Sequence, residues 1–266
     1  MPQFYGSMSD SLRDWALGQH VFFIASAPRY GKHVNVSPKG LPASTFTVLD
    51  PNTACYIDAT GSGAETIAHM YETSRATVMF CSFDKSPRIL RLFCTGRVVE
   101  FDQPEYEGLL KKMGKEQLSG ARAVILLNIF KVQTSCGYGV PLLADVDKSE
   151  VDNEEPRARF EDRQTLGHWA SKRVEKGEMV DYQAKNNARS LDAMPGLKAA
   201  RRTNGEMIWL EDFKAFLRTL LHQWQAVIIG MLLAIALTSI GDGFLIKFCF
   251  LIVALISFST ASTTIH

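Results

Sequence analysis

Short apolar segments separated by turn residues fill the first half of this 266-residue chain, and this alternation constrains its fold most. The segments are rich in β-branched and aromatic residues, which favour extended structure. Pro, Gly, Asn and Asp lie between them, as in the turns at 30–32, 38–40 and 50–52. The predicted strands cover residues 20–28, 33–37, 45–50, 53–60, 76–83, 89–100 and 123–134.

Two short helices interrupt these strands. Ile67, Met70 and Tyr71 recur at helical spacing and predict a helix over 64–74. A second helix is predicted over 105–113. So many close strands with so few helices indicate a barrel or sandwich rather than a wound parallel sheet. We therefore expect a mainly β domain over residues 1–144, with helices appended to it.

The composition changes after this domain. Residues 145–164 are dense in charge and poor in aliphatic side chains, which is typical of a linker or a solvated helix. A polar helical pattern follows to about residue 189. We expect a charged linker with appended helices over residues 145–221.

The last segment, residues 222–266, is predicted to be an apolar membrane anchor. Two runs, 226–240 and 244–258, carry one charge between them, Lys247, and Gly-Asp-Gly separates them. Each run is shorter than the roughly 20 residues that cross a bilayer as a helix. One span with an interfacial partner, a helical hairpin and a buried pair of core helices all remain open. Basic residues before the first run predict that the large domain faces the cytosol.

The charge and cysteine content exclude several classes of function. The formal net charge of +1 gives no reason to expect binding to nucleic acid. Five scattered cysteines without CxxC spacing argue against a disulfide framework and against a zinc site. The six histidines lack metal-ligand spacing, so no metal site is predicted. The sequence contains no GxSxG, P-loop or paired-carboxylate pattern and therefore assigns no catalytic residues.

Two segments carry polar groups suited to an anion. Alternation along the second strand places Asn35 and Ser37 on one face, with Lys39 following at its end. Thr60, Gly61 and Ser62 join a strand to a helix, where backbone N–H groups and the helix dipole favour negative charge. An ordinary serine helix cap is the alternative explanation of that turn.

Two arginines in one strand are further candidates. Arg88 and Arg91 differ by three positions, so in a strand they point to opposite faces. Arginine is suited to phosphate because its planar guanidinium donates two parallel hydrogen bonds. At most one of the two can line a given pocket, and the sequence leaves open which one.

Taken in order, these segments resemble the pyridoxamine 5′-phosphate oxidase-like flavoproteins, whose fold is the FMN-binding split β-barrel. The resemblance covers about residues 21–140 and is carried by VNVSPKG, YIDATGSGAETIAHM, RATVMFCSF and RILRLFCTGRVVE. The later SCGYGVP and KNNARSLDAMPGL are similar to a subgroup of uncharacterised microbial and fungal members.

The resemblance implies FMN bound at a homodimer interface formed through the barrel. It implies that the strand ending in Lys39 and the turn at Thr60–Ser62 approach the phosphate and ribityl chain, with Arg91 adding a contact. Family members often have a basic residue just after this serine, where this chain has Gly63. The C-terminal tryptophan and basic residues that hold the substrate phosphate in true pyridoxamine phosphate oxidases are not found. That reaction is therefore not expected.

Three functions remain open. The first is a membrane-anchored FMN-dependent oxidoreductase acting on an unidentified small molecule, since the flavin itself carries the hydride chemistry. The second is a non-catalytic flavin- or haem-binding module on a membrane. The third is a dimeric interaction domain without a cofactor.

Overall fold

The computed structural model describes residues 2–29, 31–115, 118, 120–144, 159–161, 163–193, 195–222 and 228–231. The chain divides into two compact units, residues 1–165 and 166–266, which we call the β-domain and the helical unit. The predicted linker residues 145–158 lie outside the described residues.

The β-domain contains the seven predicted strands and both predicted helices. Its strands are β1 Gln3–Tyr5, β2 Val21–Ser26, β3 Asn35–Gly40, β4 Phe46–Asp50, β5 Thr53–Ala59, β6 Arg75–Cys81, β7 Arg88–Glu100, β8 Ala121–Cys136, β9 Leu142–Ala144 and β10 Arg159–Glu161. Its helices are α1 Asp10–Leu17, α2 Pro42–Thr45, α3 Glu65–Thr73 and α4 Tyr106–Met113. Local sequence patterns did not predict β1, β9, β10, α1 or α2.

Eight strands form one antiparallel sheet, in the order β3-β2-β6-β7-β8-β5-β4, with β1 paired to the end of β8. The mainly β architecture is thus confirmed. The prediction that the second strand ends at Ser37 is wrong, because β3 continues through Pro38 to Gly40. Proline is tolerated there because β3 pairs only with β2 and lies at the edge of the sheet.

The inward face of this sheet forms the main core. Phe22 lies at its centre, with its ring centroid 5.3 Å from that of Phe46, 5.8 Å from Tyr56 and 5.6 Å from Phe80. Aromatic pairs at such separations add to the stabilisation that burial provides. Helix α1 contributes buried Leu12 and Ala16 to the same core, so the sheet and this helix share one apolar interior.

Helix α4 covers part of the outward face. Its apolar side packs on strands β5, β7 and β8 through a second buried cluster made of Cys55, Ile57, Val99, Tyr106, Leu110, Met113 and Val124. Burial raises the pKa of the Cys55 thiol to about 12, so this thiol is a packing group and not a reactive one.

The helical unit consists of α5 Thr165–Glu175, α6 Met179–Asn186, α7 Lys198–Thr203 and α8 Ile208–His222. Helices α5 and α6 confirm the helical pattern predicted to about residue 189. Trp169 and Tyr182 pack edge to face between them at 5.0 Å, and the Arg173 guanidinium lies 4.7 Å from the Tyr182 ring.

One arginine is buried in the helical unit. Arg201 is 1% exposed and binds Glu206 at 3.1 Å and Asp212 at 2.8 Å. Further ion pairs extend this set, which we call the Arg201 network: Arg189, Arg201, Glu206, Glu211, Asp212 and Lys214. The network ties α7 and the loop before it to α8.

Within the described residues no helix is both long enough and apolar enough to cross a membrane. The predicted anchor runs, 226–240 and 244–258, lie outside the described residues except for helical residues 228–231.

Candidate functional site

Three of the predicted site residues share the inward side of β3. Asn35, Ser37 and Lys39 stand opposite the buried residues Ser26, Ile24 and Phe22 of β2, respectively. All three are half-buried. The extension of β3 to Gly40 therefore brings Lys39 onto the same side as the other two, within the strand and not beyond its end.

Lys39 belongs to a cluster of three charges. Its Nζ lies 3.1 Å from Oδ1 of Asp58, and Nε of Arg122 lies 2.8 Å from Oδ2 of the same carboxylate. Asp58 is fully buried, whereas the side chains of Lys39 and Arg122 are 22% and 24% exposed. Two cations therefore surround one anion, and this Asp58 cluster keeps an excess positive charge next to solvent.

The pairing of β5 with β8 explains how this cluster forms. Asp58 stands opposite Ala123, next in the chain to Arg122, and the register shifts between Asp58 and Ala59. Asp58 lies near the end of β5 and Arg122 near the start of β8, so the carboxylate of Asp58 lies at the rim of the core. Burial raises the pKa of Tyr56 well above its usual value, and the negative charge of Asp58 raises it further.

The loop after β5 exposes backbone donors. Thr60 N donates to Gly120 O at 2.8 Å, but the amides of residues 61–64 donate to no acceptor within the described part of the chain. Helix α3 begins at Glu65 without a side-chain cap, so the serine-cap explanation of this turn is not what the structure shows. Free amides at a helix start are suited to an anion.

An acidic side chain already lies against this loop. The carboxylate of Glu65 folds back over Gly63, where an added Cβ would collide with it. The negative charge in the first turn of α3 also interacts favourably with the helix dipole. Since glutamate is flexible and Glu65 is exposed, this carboxylate can swing away when another anion binds.

Hydrogen bonds fasten β3 to this helix. Nδ2 of Asn35 donates to Oγ1 of Thr66 at 2.9 Å and lies 3.4 Å from Oγ of Ser26. Ser26 Oγ is in turn 3.0 Å from Nδ1 of His69, and these last two residues are buried. The network fixes the first turn of α3 beside β3, so Asn35 has a structural role in the site.

The two arginines of β7 lie elsewhere and on opposite sides, as alternation predicts. Arg91 donates to Ser135 Oγ at 3.3 Å, on the outward face. Arg88 is exposed, with its guanidinium 5.5 Å from the centre of the Trp15 ring. Neither forms a hydrogen bond or ion pair with β3 or the loop at 60–64 in the described ranges. Their contact with a flavin stays a prediction.

Arg88 borders a separate cavity of about 490 Å³. Hydroxyl side chains from the residues before α1 and from the end of β8 line this cavity, among them Ser7, Ser9, Thr134 and Ser135. The exposed thiol of Cys136 lies on its wall.

Sequence reasoning missed Asp58 and Arg122. They are 64 positions apart, so no local pattern connects them. One signal was available: Asp58 is a carboxylate within the apolar strand TACYIDA, and a buried acid needs a partner.

A family model described as pyridoxamine 5′-phosphate oxidase matches residues 8–136 of the chain. A relative from Aspergillus flavus, the pyridoxamine 5′-phosphate oxidase family protein ustO, is 57% identical over 209 residues. This match covers 79% of the present chain and 83% of the relative.

Two solved structures are similar at lower levels. HupZ from Group A Streptococcus is 17% identical, with a TM-score of 0.38, over 47% of this chain and 91% of that one. An FMN-binding protein from Syntrophomonas wolfei is 17% identical, with a TM-score of 0.33, over 45% of this chain and 79% of that one.

Proposed function

Because the chain belongs to the pyridoxamine 5′-phosphate oxidase family, we propose that its β-domain binds FMN and works as an FMN-dependent oxidoreductase. One observation carries the proposal: uncommitted backbone amides at the start of α3 are joined through β5 to a charge cluster with an excess cation. The substrate is proposed to be a small molecule of unidentified structure.

In this proposal the phosphate of FMN binds at Thr60, Gly61 and Ser62. A phosphate monoester carries close to two negative charges at neutral pH, and the free amides of residues 61–64 can donate to it. Lys39 and Arg122 supply the positive charge, and Glu65 moves aside. These donors fit a phosphate because backbone amides, the Ser62 hydroxyl and two cations all lie at the same rim of the β-domain.

The bound flavin would supply hydride and electron transfer, while the protein supplies position and electrostatics. Asn35 holds α3 against β3 through Thr66 and thereby keeps the loop in place. Ser37 lies between Asn35 and Lys39 on the same strand face and is available to the ribityl chain. Arg91 remains a proposed contact from the outward face.

We also propose a homodimer formed through the barrel. Support comes from apolar side chains exposed on two strands of the sheet: Val36 of β3 and Phe130 of β8 are each 59% exposed. Covering exposed apolar side chains with a partner surface is favourable because it removes them from water. A dimer would be detected as twice the monomer mass by light scattering of the purified chain.

Anchoring to a membrane through residues 222–266, with the β-domain in the cytosol, is proposed from the sequence. The apolar runs 226–240 and 244–258 and the basic residues before them are its support. Deleting residues 226–266 should release the protein from the membrane fraction.

A non-catalytic flavin- or haem-binding module on a membrane is the alternative. The two functions differ in turnover, because a binding module holds its cofactor without passing electrons to a substrate. Bound flavin that no nicotinamide cofactor reduces would favour the module.

The absorption spectrum of the full chain purified in detergent tests the cofactor. The proposal predicts flavin bands, release of FMN on denaturation, and reduction of the bound flavin by a nicotinamide cofactor. A haem spectrum, or a colourless protein that takes up no FMN, contradicts it. For variants of Lys39 or Arg122, Arg97→Gln is the matched control. Arg97 pairs with Glu105 at the start of α4, outside the Asp58 cluster.

A further inference from the structure

Ion pairs fix which side of α8 faces the rest of the helical unit. Glu211 accepts from Arg189 at 2.9 Å, and Asp212 accepts from the buried Arg201 at 2.8 Å. Glu211, with 18% of its side chain exposed, is therefore turned towards the loop before α7, whereas Asp212 contacts Arg201 from a position that is 45% exposed. The rotation of α8 about its own axis is set by these charged contacts.

The side of α8 opposite Glu211 is apolar and exposed. Trp209 is 70% exposed, Phe213 53%, Phe216 57% and Leu217 40%. At about 100° per residue these four side chains fall within an arc of roughly 100°. A helix of a soluble domain normally buries such an arc and exposes its charges. In α8 this apolar arc is exposed instead, while the Glu211 side chain on the far side of the helix is only 18% exposed.

Single exposed apolar side chains are common, but a contiguous stripe with two phenylalanines and a tryptophan marks an interaction surface. Lys214, half exposed beside this stripe, pairs with Glu211 and leaves the arc itself without a charge. A charged protein partner is therefore a poor match for this surface.

The position of the stripe in the chain identifies its partner. Helix α8 ends at His222, and the apolar run begins at Ala226. Four residues span at most about 14 Å when fully extended. If the run enters a bilayer, as proposed above, the end of α8 lies within that distance of it. The headgroup region, where tryptophan side chains are enriched, lies within this distance of the apolar run.

We propose that α8 lies flat on the lipid surface, with Trp209, Phe213 and Phe216 inserted at the headgroup boundary. This rests on the proposed anchor and adds to it a second contact that orients the helical unit. Interfacial helices combine such an apolar face with low overall hydrophobicity. The Arg201 network turns the stripe outward, towards the lipid.

Quenching of tryptophan fluorescence by brominated lipid tests the inference on the full chain in phosphatidylcholine vesicles. Flotation with the vesicles is measured first, and quenching is then compared for the wild type, Trp209→Phe and Trp169→Phe. Trp169 is the control because it packs against Tyr182 inside the helical unit. The inference predicts loss of part of the quenched signal in W209F and no loss in W169F.

The two proposals fail in different ways. If W209F floats with the vesicles and its fluorescence is quenched as much as that of the wild type, the α8 contact is overturned and the anchor is kept. Coverage of the stripe by residues 232–266 or by a second copy of the chain would give this result. Absence of flotation overturns the anchor and the α8 contact together. Phe213→Ser with Phe216→Ser, both at exposed positions, should reduce quenching of Trp209 while flotation persists.

Discussion

The β-domain and the helical unit are each built around a buried charged side chain, Asp58 in the first and Arg201 in the second. Asp58 is surrounded by two cations, so its cluster keeps one positive charge in excess. The Arg201 network contains three cations and three carboxylates and is neutral: Arg189, Arg201 and Lys214 against Glu206, Glu211 and Asp212.

This difference separates a binding site from a structural contact. An excess charge at a half-exposed rim attracts a ligand of opposite sign, and uncommitted amides nearby can hold it. A neutral network has no net charge to offer a ligand and instead fixes how helices pack. The two regions should therefore respond differently to loss of one charge: the β-domain in affinity, the helical unit in stability.

The largest expected effect is on the stability of the helical unit. Arg201→Gln leaves the carboxylates of Glu206 and Asp212 without their buried partner, and breaking a buried ion pair is strongly destabilising. We expect this variant to show a larger drop in melting temperature than any single-charge variant of the β-domain, measured by circular dichroism. Arg202→Gln is the control because the side chain of Arg202, next in the chain, is exposed, and an equal drop there would contradict the assignment.

The next effect concerns the β-domain. Asp58→Asn removes the only anion of its cluster and leaves two cations whose side chains are partly exposed, so FMN should bind more tightly, by roughly tenfold. Because Asp58 is fully buried between both cations, unfolding should also become easier. Fluorescence titration with FMN measures the affinity. Weaker binding in this variant would mean that Asp58 contacts the ligand or shapes its loop.

Acid should affect the helical unit through Glu211. Hydrogen bonds from Lys214 and then from Arg189 lower the pKa of Glu211 from 4.5 to about 2. A carboxyl with a lowered folded-state pKa contributes stability above its unfolded pKa and loses it as pH falls through the folded value. The melting temperature should therefore decline between about pH 4.5 and pH 2, and Glu211→Gln should decline less over the same interval.

The smallest expected effect is at Tyr56. Its hydroxyl is buried and has no hydrogen-bond partner in the described part of the chain. Tyr56→Phe removes this unsatisfied group, and the free energy of unfolding should rise by about 1 kcal/mol. Urea unfolding measures the change. A loss of comparable size would show that the hydroxyl has a partner in solution.

Much of the β-domain follows from local patterns. Alternation and turn residues predict its seven longer strands, and alternation alone places Asn35 and Ser37 together and Arg88 and Arg91 apart. Strand β1 has only three residues, too few to show a period. Helix α1 did offer a signal, since Ser9 accepts from Leu12 N as a helix cap.

The rest of the site depends on long-range pairing. Lys39 and Arg122 meet on Asp58 only because β3, β5 and β8 come together in the folded sheet. The Arg201 network likewise joins α8 to residues up to 22 positions earlier in the chain. Such pairings follow from tertiary packing, which local propensity does not specify.

The affinity ratio of FMN to riboflavin tests the central claim most directly, because the two ligands differ only in the phosphate. The wild type should bind FMN much more tightly than riboflavin. In the Lys39→Gln, Arg122→Gln double variant the ratio should fall, because only the backbone amides still hold the phosphate. Riboflavin affinity should be kept, and the ratio in Arg97→Gln should equal that of the wild type. An unaltered ratio in the double variant would contradict a phosphate site at this rim of the β-domain.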